Sequence, residues 1–169
     1  MTALTLTRAR VDELLGDETV PVAHRALWAL LWEGEVRLGD ALSLDVRDIE
    51  FGARSVRVEY PKRGTDPESV PLGERAAELL QRAVGGRADG PALQVEGRPI
   101  SRTSAARRAH AAGAGSIHAF RSSGQADRRP VQGAAGYEVG EYRMSTRERT
   151  DEPGGEGGFV DDYTSPKSD

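Results

Sequence analysis

Gly34-Glu35-Val36-Arg37-Leu38-Gly39-Asp40-Ala41-Leu42-Ser43-Leu44 follows directly on Val22 to Glu33, a segment in which Leu27, Trp28, Leu30, Leu31 and Trp32 lie nearly all round a helix. A helix apolar on every face belongs at the centre of a core. Gly34 ends it, and the spacing of Ala41, Leu42 and Leu44 predicts a short helix just beyond Arg37. Two more basic segments stand out along the chain. Lys62 follows an alternating run, Val56-Arg57-Val58-Glu59-Tyr60-Pro61-Lys62-Arg63-Gly64, and a histidine and an arginine share His118-Ala119-Phe120-Arg121.

The remaining pattern assembles around that central helix. Thr5 or Thr7 caps a first helix that carries Val11, Leu14 and Leu15 and stops at Gly16. Ser55 to Tyr60 puts Val56, Val58 and Tyr60 on one face and Ser55, Arg57 and Glu59 on the other, the period of a half-buried strand. Pro61 to Pro67 is a turn, and Ser69-Val70-Pro71-Leu72 returns as a second short strand. Pro71 confines that strand to an edge or places its end there. Glu74 to Val84 predicts a helix ended by Gly85-Gly86. Ala92-Leu93-Gln94-Val95 is a candidate third strand, and Ser101 or Thr103 caps an Arg/Ala-rich helix to about Ala112. The fold class expected is α+β, mostly helical with a small antiparallel β-sheet.

A chain of 169 residues suffices for one domain with its own core. The absence of cysteine excludes disulfides and thiolate metal sites. No apolar run approaches a membrane span and no signal-peptide core opens the chain, so a soluble cytoplasmic protein is expected. The net charge of −4 is unevenly spread. Residues 148–169 hold seven acids against Arg149 and Lys167, a net of −5, which leaves +1 for the rest. Between 98 and 129 stand seven arginines and one acid, Asp127. Such a basic stripe suits a polyanion, and equally a solvated helix face. The 147–169 segment, with Pro153-Gly154-Gly155-Glu156-Gly157-Gly158, is expected to be a disordered acidic tail behind a domain spanning 1–146.

The Gly-x-x-Arg segment after an apolar helix, the strand–lysine–strand run and the His-x-x-Arg box, taken in this order, resemble the tyrosine recombinase (phage integrase) family, with the pattern clear to about residue 124. The resemblance implies an integrase-type catalytic domain acting on double-stranded DNA, with no metal or cofactor and possible homo-oligomers on DNA. It also implies roles. Arg37 and Arg121 clamp the scissile phosphate with permanently charged forks. Lys62 protonates the leaving 5′ oxygen, His118 assists proton transfer at the nucleophile, and a tyrosine forms the covalent phosphotyrosyl link. Each residue also has a plain reading: Arg37 pairs with Asp40 at the surface, Lys62 is solvated in a polar turn, and His118 caps the helix that Phe120 anchors. Trp28 and Trp32 are assigned to the core, and His24 and His110 to nothing.

The family pattern thins after Arg121. No His or Trp occurs beyond His118, so the third phosphate-binding residue is missing, and Pro130, Gly133, Gly136 and Gly140 interrupt any further helix. Tyr137, Tyr142 and Tyr163 remain as nucleophiles, and Tyr142, flanked by Arg143 and Arg147, is preferred. A frameshifted or eroded C-terminus is one expectation, and an absent N-terminal DNA clamp is another. Three functional classes follow: a tyrosine recombinase working through Tyr142, a DNA-binding relic or accessory protein without turnover, and a small helical domain whose basic stripe meets an acidic protein.

Overall fold

The computed structural model describes residues 4–59 and 66–129. The helices and strands among them belong to one compact unit, Met1–Arg128. The expected boundary at 146 and the acidic tail lie outside the described residues, as do Tyr137, Tyr142 and Tyr163.

Helix α1, Arg8–Gly16, starts at Thr7, whose hydroxyl accepts the Arg10 backbone N–H at 3.1 Å, so Thr7 rather than Thr5 is the cap. Helix α2, Val22–Glu33, is buried without a break from Ala23 to Trp32. Arg25 is tolerated there because its Nε donates to the Val20 carbonyl at 3.0 Å and its Nη1 to the Leu15 carbonyl at 3.3 Å. Helix α3, Leu38–Leu42, begins after a four-residue link, and Leu44 packs into the core just past its end. A 3-10 turn at Val46–Asp48, capped by Asp45, leads into the first strand.

Strands β1 (Ile49–Glu50), β2 (Ser55–Val58) and β3 (Glu68–Pro71) form one antiparallel sheet in the order β1-β2-β3. Val56 of the middle strand faces Ile49 on one side and Val70 on the other. Val56 and Val58 are buried while Arg57 is exposed, the alternation the sequence predicts. Pro71 ends the edge strand β3, where its missing N–H costs no ladder bond. Helix α4, Glu74–Val84, closes at Gly85 with φ +63°, a positive φ that glycine takes without strain.

The expected third strand at 92–95 needs correction. Only Gln94–Val95 (β4) is extended, and it pairs with Arg98–Pro99 (β5) in a separate hairpin, while β1 completes the main sheet. Glu96 (φ +51°) and Gly97 (φ +78°) close that hairpin with two positive φ values, the tight-turn geometry that turns the chain straight back on itself. Helix α5, Arg102–Ala111, is capped by the Ser101 hydroxyl, not by Thr103. Helix α6 spans His118–Arg128.

Helix α2 is the hub, packing on α1, α3, α4 and α6. Trp28 stacks on Phe120 of α6, ring centroids 5.1 Å apart and 10° from parallel, a pairing worth about 0.5–1.5 kcal/mol beyond simple burial. One turn on, α6 carries Gly124, where a Cβ would run into the Trp32 carbonyl oxygen. That close backbone approach and the stacked rings fix the height and rotation of α6 against α2. This is the α+β architecture expected, built on a buried central helix.

Candidate phosphate-binding site

Arg121 is tied to the link between helices α2 and α3, the segment that ends at Arg37. Glu35 sits at φ +55°, a left-handed conformation that costs a non-glycine residue about 1–2 kcal/mol. The turn aims the Glu35 carbonyl at α6, where Arg121 Nε donates to it at 2.8 Å across 86 positions of sequence. The Glu35 carboxylate is engaged by the same helix, accepting from Arg128 Nε at 3.1 Å. Two arginines about two turns apart on α6 therefore hold both ends of a single residue.

Two positions after Glu35, Arg37 stands at the start of α3 in extended conformation and is exposed. Its carbonyl accepts the Ala41 N–H at 2.9 Å, beginning the helix, while its side chain points away from the core. The surface pair with Asp40 is not formed: among the described residues Arg37 makes no ion pair. Arg121 is half-buried and spends only its Nε on Glu35, so both Nη groups have no partner among the described residues. A guanidinium anchored at Nε with its Nη edge free is preorganised to meet a planar or tetrahedral oxyanion in bidentate fashion.

His118 opens α6, exposed, and its backbone N–H donates to Ser116 Oγ at 3.2 Å. Spaced three residues from Arg121, it lies on the same side of the helix. The capping role at this end falls to Ser116 and leaves the imidazole unengaged among the described residues. Lys62 falls in sequence between β2 and β3 and is outside the described residues. Tyr142 is likewise outside them. Of the expected site, Arg121 is bonded to Glu35, two residues before Arg37, and His118 lies on the same helix as Arg121.

The basic stripe is mostly exposed. Of the seven arginines between 98 and 129, only Arg128 is in an ion pair among the described residues. Elsewhere acids are taken up locally. Arg47 donates to the Asp45 carboxylate at 3.0 and 3.3 Å and holds its pKa down to about 2. Glu33, half-buried behind α4, is pushed up by burial although it accepts the Ala76 N–H. His24 is buried in α2, and burial first, then nearby Arg108, depress its imidazole pKa to about 4. It is a neutral core group, consistent with the sequence assigning it no role.

Sequence reasoning missed three positions that shape this site. Glu35 acts largely through its main chain, which no side-chain pattern reveals. Gly124 and Gly39 act through the side chain they lack: a Cβ on Gly39 would stand 2.6 Å from Arg102 Nη2. A glycine inside a helical segment was the available signal.

A sequence model of the phage integrase family matches residues 5–124. No curated protein matches the chain. Among solved structures, the fold is similar to a XerA recombinase (TM-score 0.58, 15% identity, 71% of this chain and 47% of that one). It is also similar to the Tn1549 transposon integrase in complex with transposon right end DNA (TM-score 0.55, 15% identity, 73% and 52%). The same integrase with circular intermediate DNA gives a TM-score of 0.55 at 16% identity, covering 73% and 53%. The chain thus spans about half the length of the solved structures it matches, and the likeness is one of fold. No helix among the described residues is long and apolar enough to cross a membrane.

Proposed function

The chain belongs to the phage integrase family, and on that premise we propose that it grips a phosphodiester of double-stranded DNA for site-specific recombination, with Arg37 and Arg121 as the clamp. The observation that carries this reading is the Arg121 Nε–Glu35 carbonyl bond. It ties the second arginine to the segment of the first and leaves both guanidinium edges without carboxylates among the described residues.

In the full reaction a tyrosine hydroxyl, Tyr142 by preference, attacks the phosphorus and forms a 3′-phosphotyrosyl bond as the bond to the 5′ oxygen breaks. Lys62 delivers a proton to that leaving oxygen, and His118 takes the proton of the tyrosine. The arginines stabilise the charge that builds on the non-bridging oxygens. Removing one such preorganised donor typically costs about 10²–10³ in rate. Reversal with a new 5′ hydroxyl rejoins the strand, so no outside energy source is required. The Tn1549 integrase structures, with bound transposon DNA, support a DNA partner for this fold. Assembly as oligomers on paired sites and a cytoplasmic setting belong to the same reading.

A second reading keeps the grip without turnover. It is favoured by the lack of any His or Trp beyond His118 within these residues, which leaves the third phosphate-binding position of the family unfilled. A suicide-substrate assay separates the two. Nicked duplex trapped as a covalent protein adduct, lost in Tyr142→Phe, is the result expected of a recombinase. Binding without any adduct on the duplexes tried supports the relic, and no binding at low salt removes both.

A further inference from the structure

Gly39 is the second residue of α3 and does not adopt a positive φ, so its backbone has no need of glycine. Alanine would favour the helix there. What the glycine provides is room. A Cβ at this position would stand 2.6 Å from Nη2 of Arg102, the first residue of α5. The far end of that side chain therefore lies against the first turn of α3, the short helix that Arg37 precedes.

Neither arginine makes an ion pair among the described residues, and Asp40 in the same helical turn is paired with neither. Arg102 is exposed, so its charge remains available to a ligand. Unpaired arginines gathered at one short helix suit a ligand with several regularly spaced negative charges. A single small anion would need only the Arg37–Arg121 clamp. A third arginine lodged on the first turn of Arg37's helix suits a polymer of phosphates.

We propose that Arg102 is a further DNA-backbone contact, holding a phosphate next to the one gripped by Arg37 and Arg121 and positioning the duplex without reading its bases. The proposal rests on the DNA reading above, and its test separates the two. The full chain is titrated into a short fluorescein-labelled duplex over a series of salt concentrations, and the slope of log K against log salt is taken. Arg102→Gln makes the slope shallower by about 0.9, the value for one phosphate no longer neutralised, while Arg82→Gln, an equal change of charge on α4 at an arginine paired with Glu18, leaves it alone. If the parent chain binds duplex and Arg102→Gln keeps the parent slope, or falls only as far as Arg82→Gln, the Arg102 contact is overturned and the DNA reading stands. If the parent chain binds no duplex, both fall.

Discussion

Arg121 Nε donates to the main-chain carbonyl of Glu35 at 2.8 Å, and this one bond joins the two ends of the candidate site. It depends on Glu35 adopting φ +55°, which turns the carbonyl out of the path of α2 and toward α6. The arginine is thereby oriented by backbone, so its aim does not depend on which side chain occupies position 35.

That distinction is testable at Glu35 itself. Glycine keeps both the φ and the carbonyl, so Glu35→Gly should hold stability near that of the parent and retain DNA affinity. Valine, β-branched and poorly suited to positive φ, should cost roughly 1–3 kcal/mol and weaken DNA binding with it. Urea unfolding and fluorescence anisotropy on both variants check this. Equal behaviour of the two variants would mean that the backbone conformation is not what aims Arg121.

Gly124 sets two opposed effects against each other. Alanine gains roughly 1 kcal/mol in helix propensity. Its Cβ also meets the Trp32 carbonyl oxygen, which belongs to the buried helix and cannot swing aside as a side chain would. Overpacking of this kind costs about 1–3 kcal/mol or more, so Gly124→Ala should lower the melting temperature and loosen α6 from α2. An unchanged or raised melting temperature would show that the two helices approach less closely than described.

The depressed pKa of His24 fixes the sign of a pH effect. Burial and Arg108 favour the neutral imidazole in the folded state, with a pKa of about 4 against 6.5 unfolded. Between these values the unfolded chain binds more protons, so stability is complete above about pH 6.5 and is lost as pH falls toward 4. At about 1.4 kcal/mol per pKa unit the loss is on the order of 3 kcal/mol. Denaturant midpoints across this window should fall steeply for the parent and much less for His24→Leu. Parallel pH profiles would remove His24 as the source.

Much of this was legible in the sequence where the signal is local. Helices α1, α2 and α4 are marked by Thr7, by the apolar run to Glu33 and by Gly85, each a cap or a period contained in a dozen residues. Trp28 was expected in the core and lies there, stacked on Phe120. Strand β1 and the β4–β5 hairpin were not legible, because strands of two residues carry no period. Arg37, His118 and Arg121 were singled out by residue type, spacing and the family resemblance. What joins them escaped, since a carbonyl at a strained residue and a methyl absent from Gly39 leave no trace in a pattern of side chains. Lys62 and Tyr142 rest on the sequence and the family resemblance alone.

The central claim is that Arg37 and Arg121 jointly hold a DNA phosphate, and the salt dependence of duplex binding by Arg37→Ala/Arg121→Ala tests it most directly. Far-ultraviolet circular dichroism confirms the fold of the variant, since neither residue is part of the core. The double variant should form a weaker complex whose log K–log salt slope is shallower by roughly 0.9 for each phosphate that it no longer neutralises. A double variant that binds duplex with the affinity and slope of the parent chain would contradict it.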